Sequence, residues 1–89
     1  MSKSYVIKNL GTESTSLQDG SELTVMTVAN TTSTEQTFSM LVDGTYFIKD
    51  VAIPANVSFN IDNGIIYDTT KIEVLASSNN SFDVVYTIK

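Results

Sequence analysis

From Gln36 to Lys89 apolar and polar residues alternate, and turn-forming dipeptides cut the alternation at regular intervals. A period of two belongs to an extended strand with one face in water and the other in a core. The pattern predicts a small antiparallel β domain and leaves no stretch for a helix. Tyr5 and Ile7 share one face of a short first strand over 4–10. The polar stretch GTESTSLQDG (11–20), with glycine at both ends, reads as a loop or arm. SELTVMTVAN (21–30) is almost continuously apolar or β-branched, with Leu23 and Val25 on one face and Met26 and Val28 on the other. That predicts a strand covered on both faces.

The stretch NTTSTE (30–35) is a turn, because Asn, Ser and Thr side chains bond locally and compete with a ladder. Phe38, Met40 and Val42 then point one way, and Thr37, Ser39 and Leu41 the other. Asp43-Gly44 is a strong hairpin signal, since a type I′ turn needs positive φ at both central residues. The returning strand, 45–53, stops at Pro54, which has no N–H to donate. Val57, Phe59 and Ile61 are expected to face inward, and Asn63-Gly64 to make a second tight turn. Short strands at Ile65–Tyr67 and at Ile72, Val74 and Ala76 follow. Ser78-Asn79-Asn80-Ser81 reads as a hairpin turn before Phe82, Val84, Tyr86 and Ile88.

Seven or eight short strands at this spacing predict a β-sandwich, immunoglobulin-like or jelly-roll-like. The expected organisation is one domain: an N-terminal strand and polar arm over 1–20, then the sandwich over 21–89. The expected core is Val25, Phe38, Met40, Val42, Ile48, Val57, Phe59, Ile61, Ile72, Val74, Phe82, Val84, Tyr86 and Ile88.

Composition narrows the function. A chain of 89 residues buries only roughly 60–65% of its unfolded surface, so the core is thin. It has no cysteine for disulfides, and no histidine or cysteine for a transition-metal site, so stability gained from partners is expected. The net charge of −5, the absence of arginine and the scatter of Lys3, Lys8, Lys49, Lys71 and Lys89 argue against nucleic acid. The acidic balance also disfavours anionic membranes. Neither an apolar leader nor a run of 18 apolar residues occurs, so synthesis in a cytoplasm is expected. Ser and Thr make up about a quarter of the chain while 17% is charged, which suits contact surfaces with few long side chains to immobilise.

No cofactor is expected, and catalysis finds no footing. The pairs Asp43/Asp50 and Asp62/Asp68 lack a pocket able to split their pKa values, and no Ser or Thr has a histidine base. Asp62-Asn63-Gly64 with Asp68 lacks the alternating carboxylates and terminal Glu of a calcium loop, and reads as an Asx-Gly turn. Four tyrosines (Tyr5, Tyr46, Tyr67, Tyr86) offer sugar-stacking rings, although Tyr86 is in phase with the core. Leu41, Leu75 and Val85 fall on the polar faces of their strands. If those strands are neighbours, the three form an apolar patch of the kind that marks an interface. With Tyr5, Ile7 and Leu17 of the N-terminal segment they are the candidate contact residues. The turns at Asp43, Gly44, Asn63 and Gly64 are the fallback.

Val28-Ala29-Asn30-Thr31-Thr32, Thr37-Phe38-Ser39-Met40, Ile53-Pro54-Ala55-Asn56, Gly64-Ile65-Ile66 and Lys71-Ile72-Glu73-Val74-Leu75-Ala76-Ser77 together resemble a group of small tailed-phage virion proteins. The resemblance spans about two-thirds of the chain, and the first 20 residues depart from it. It implies an immunoglobulin-like or jelly-roll sandwich in a phage head, neck or tail. The function it implies is a decoration or cement protein that stabilises the head by bridging major capsid subunits. A tail, neck or fibre adaptor is the alternative, and a glycan-binding module lies further off. Expected partners are the major capsid protein or other virion proteins and further copies of the chain on the particle. The expected location is the virion, after synthesis in the host bacterial cytoplasm.

Overall fold

The computed structural model describes residues 2–19, 22–62, 65–66 and 71–89. Its strands, in chain order, are β1 (Lys3–Leu10), β2 (Thr15–Ser16), β3 (Glu22–Asn30), β4 (Gln36–Val42), β5 (Thr45–Ile53), β6 (Ser58–Ile61), β7 (Ile65–Ile66), β8 (Ile72–Ala76) and β9 (Phe82–Ile88). Among the described residues nine strands stand where the periodicity counts seven or eight, because β2 and β7 are only two residues long.

One sheet runs β1-β9-β3-β6, with β7 also on β3; the other runs β2-β8-β4-β5. Every pairing is antiparallel. The first strand pairs with the last, and the chain passes repeatedly from one sheet to the other. This order is that of a jelly roll, which decides between the two sandwich types expected. The link from β8 to β9 joins different sheets, so Ser78-Asn79-Asn80-Ser81 is a corner and not a hairpin turn. The β4–β5 hairpin has φ of 52° at Asp43 and 78° at Gly44, as a type I′ turn requires.

The core lies between the sheets. Leu10, Leu17, Leu23, Met26, Val28, Phe38, Met40, Ile53, Ile61, Ile72, Val74, Ala76, Phe82, Val84, Tyr86 and Ile88 are buried. Phe38 of one sheet meets Phe82 of the other edge to face, centroids 5.9 Å apart. Val42, Ile48 and Phe59 pack against this cluster half-buried. Val25 and Val57 are exposed, against expectation. For Val25 the cause is a β-bulge: Leu23 pairs with Ile88 and Val25 with Thr87, so Thr24 is the extra residue. One inserted residue reverses the alternation, turning Leu23 and Met26 to the core and Val25 outward. β3 therefore has one covered face, not two.

The expected first strand stands as β1, whereas residues 11–19 depart from the expected loop or arm. β1 pairs with β9 and β2 with β8, and Leu17 is buried with its N–H on the Ile72 carbonyl at 2.9 Å. The Gly11 carbonyl accepts from Ala76 at 2.8 Å, and the Gln18 N–H donates to the Tyr86 hydroxyl at 3.0 Å. This segment belongs to the sandwich. Removing residues 2–12 deletes an edge strand and uncovers Tyr86, so the truncated chain is expected to unfold, read as loss of a cooperative urea transition. Phe82→Ala, with no solvent-exposed surface to soften the cavity, is expected to lower stability by about 3–5 kcal/mol in the same assay. Half-buried Phe59→Ala is expected to lose visibly less.

Candidate functional site

The outer face of the first sheet can be written from its register. Opposite residues share a face, so Ser4, Thr87 and Val25 form one row. Val6, Val85, Thr27 and Asn60 form the next, and Asp83, Ala29 and Ser58 a third, with Lys8 at the β1 end. Within these three rows the charged residues are Lys8 and Asp83, both at the same end; at the other end of the sheet Glu22 of β3 and Lys89 form an ion pair at 3.7 Å. Val6, Val85 and Val25 are exposed, 60%, 47% and 38% respectively. Three hydroxyls are tied down: Ser4 Oγ lies 2.8 Å from Thr87 Oγ1, and Thr24 Oγ1 donates to the Thr87 carbonyl at 3.0 Å. The result is a surface of small, stiff side chains across four strands.

The other sheet's outer face carries a narrower stripe. Leu41 pairs with Tyr46 on one side and with Glu73 on the other, and Ser39 pairs with Leu75. Leu41 and Leu75 are thus diagonal neighbours, both half-buried. Tyr46 and Phe47 are exposed, and the Lys49 ammonium sits 5.4 Å from the Tyr46 ring centroid. That cation occupies a face a sugar ring would need. The extra residue Phe47, between the pairs Met40–Ile48 and Leu41–Tyr46, and a second shift beside Asp50 (φ 51°) break the β5 edge twice.

Leu41, Leu75 and Val85 therefore do not form one patch: the two leucines lie outside one sheet and the valine outside the other. Leu17 is a core residue and drops out as a contact. Tyr5 and Ile7 are half-buried against the core, Tyr5 stacked on Tyr86 with centroids 5.6 Å apart. Asp43 and Gly44 are exposed at the hairpin tip, while Asn63, Gly64, Tyr67 and Asp68 lie outside the described residues. Asp50 is exposed and accepts from Ser39 Oγ at 3.4 Å, so the proposed partner of Asp43 is engaged in closing a bulge. Val6, Val25 and Phe47 were missed by reading the sequence. Val6 alone had a signal, its position opposite in phase to Tyr5 and Ile7.

A depression of about 370 Å³ opens where β1 leaves its sheet, lined among others by Lys8, Asn9, Thr12, Glu13, Thr15 and Asn79. Asn9, at φ 57°, donates its N–H to Asp83 Oδ1 at 3.1 Å, and Asn79 Oδ1 accepts from the Thr12 N–H and hydroxyl, each at 3.3 Å. Those side chains are solvent-exposed or nearly so, which leaves the depression wet and polar.

Asn30 sets the far end of the sandwich. Its buried amide donates to the carbonyls of Thr34 and Ile53 at 2.9 Å and of Pro54 at 3.1 Å. Its Oδ1 accepts from the N–H and hydroxyl of Thr32 at 2.9 and 2.8 Å. One side chain thus holds two loops together. Asn30→Ala strands the buried Ile53 carbonyl at about 1–3 kcal/mol, and the expected result is a lowered midpoint in urea with the strand signal retained at low temperature.

No protein-family model and no curated protein matches the chain. Among solved structures, the C-terminal domain of EclA, a sugar-binding protein, is similar with a TM-score of 0.56 and 15% identity. That match covers 98% of this chain and 78% of the other. An infectious bursal disease virus structure, Gx strain, aligns with a TM-score of 0.40 and 15% identity, over 99% of this chain and 33% of that one. At such identity the EclA domain shares the fold alone.

Proposed function

We propose that this chain is a non-enzymatic structural protein of a tailed-phage virion, a decoration protein that binds the head from outside and bridges major capsid subunits. The coarser reading, a small β-sandwich of the structural or binding kind, is what the fold and its solved relative support; the fold by itself does not choose a function. The observation that carries the finer reading is the outer face of the β1-β9-β3-β6 sheet. Interface centres are depleted in charge, and short Val, Thr, Ala and Ser side chains lose little rotamer freedom when covered. A rigid sandwich presenting such a face opposes shell expansion by contact alone. The sequence resemblance over 28–89 supplies the particle. A tail, neck or fibre position would use the same face.

The test is loading. Val25→Lys combined with Thr27→Lys places two long cations in the middle of the face without touching the core. This double variant is expected to keep the wild-type melting curve and to fall at least tenfold in copies per purified particle. Wild-type loading would show that the face makes no contact with the shell.

The depression beside Asn79 favours a second reading, glycan recognition, because neutral amides and hydroxyls with one lysine and one carboxylate suit a polyhydroxylated ligand. Amide NMR during addition of a neutral monosaccharide panel separates the two. The structural reading expects no shifts at Gly11, Thr12 or Asn79; saturable shifts confined there would move the function to recognition.

A further inference from the structure

The two sheets have four edges, and they differ in how a foreign strand is refused. β2 is two residues long, and β6 and β7 offer four and two. β5 is long but shifts register twice, and bulges spoil an edge for pairing. β1 is the exception. Lys3 to Ile7 pair one for one with Ile88 to Val84, and the first shift falls after Ile7. Among the described residues no hydrogen bond besides the β9 ladder reaches the backbone of 3–7. An antiparallel edge strand turns half of its N–H and C=O groups away from its sheet, so this edge is open.

We propose that β1 pairs antiparallel with β1 of a second copy of this chain, across a two-fold axis at Val6. The inference rests on the fold and not on the virion reading. Side chains opposite each other must share a face, which confines a symmetric pairing to registers centred on one residue. Centring on Val6 sets the most exposed large apolar side chain of the described residues against its own copy. Tyr5 then lies opposite Ile7 of the second copy, joining two half-buried side chains at the rim of each core. Centring on Tyr5 instead would set Val6 against Ser4 and Lys3 against Ile7.

Charge does not oppose a copy of this strand in the Val6 register. β1 carries Lys3 and Lys8 and no carboxylate, and among the described residues neither lysine has an ion-pair partner. Lysine on an edge ordinarily blocks self-pairing by meeting its own kind. Here Lys8 falls opposite the Ser4 hydroxyl of the second copy. The two Lys8 residues are then four residues apart along the strands, roughly 13 Å, beyond a Debye length of about 8 Å at physiological salt. Lys3 and Lys8 of the second copy come near each other only on opposite faces of the sheet. The joined sheet runs β6-β3-β9-β1 and then the mirror order, so both outer faces become one continuous surface. Asn9, at φ 57°, turns the chain out of line and ends the pairing.

The absence of cysteine gives a direct test. Directly opposite residues have Cα atoms about 4.5–5.5 Å apart, within the range a disulfide spans. Purified Val6→Cys is expected to give a covalent dimer on mild oxidation or with a short bis-maleimide, while Val25→Cys, exposed on the same face in β3, stays monomeric. In sedimentation equilibrium the wild type is expected to approach twice the monomer mass as concentration rises. Val6→Asp is expected to remain at monomer mass and to melt as the dilute wild type does. A wild type that stays monomeric throughout the series, a Val6→Asp protein that still doubles, or a Val6→Cys protein that cross-links no better than Val25→Cys overturns the pairing. Loading onto particles is a separate measurement, so either result stands whatever the other shows.

Discussion

The pairing of β9 with β1 on one side and β3 on the other is the constraint on which the molecule depends. Phe82, Val84, Tyr86 and Ile88 all point from this last strand into the core. Phe82 reaches across to Phe38, and Tyr86 both stacks on Tyr5 and accepts the Gln18 N–H. Ser4 and Thr87 touch although 83 positions separate them. The β1-β9-β3-β6 sheet cannot close until the final residues are in place, and the long-range pairing predicts slow folding for a domain this small. Burial at roughly 25 cal/mol per Å² of apolar surface drives that closure, and the strand that buries most also orders the N-terminal segment.

A consequence is that the two sides of the sandwich are not equivalent. The bulges in β5 and the cation over Tyr46 blunt one sheet's edge. The other sheet keeps a charge-poor outer face and an unblunted edge at β1. Small hydroxyl and β-branched side chains cover that face because its strands must be stiff without being apolar enough to aggregate. A wet depression lies at the end where β1 bulges.

Buried polar groups decide where the loops go. Asn30 satisfies three carbonyls and two Thr32 groups from one position, which ties the β3–β4 connection to the Pro54 corner. A residue that reads as an ordinary turn former in NTTSTE is thereby the pin of one end of the sandwich. Its donors and acceptors are spent on the fold.

Period-two alternation was enough to establish an all-β sandwich, the Asp43-Gly44 hairpin, the stop at Pro54 and most of the core from Phe38 to Ile88. Those features are local, since a strand's two faces follow from its own residues while the backbone stays regular. What alternation could not show is where regularity fails. The bulge at Thr24 exchanged the faces of Leu23 and Val25, and that after Ile7 turned Leu10 into the core and Asn9 out. A bulge is set by the partner strand's register, which lies dozens of residues away. The same holds for the surface. Leu41, Leu75 and Val85 look alike in sequence, each out of phase in its strand, and only strand order assigns two to one sheet and the third to the other. Leu17 sits in a polar stretch and is buried because β2 finds β8, a pairing of two residues that no periodicity can announce. The sequence by itself determined which segments extend and where they turn. Which strands meet, and therefore which face is free, was decided by tertiary packing, because hydrogen bonding between strands carries no mark in either strand alone.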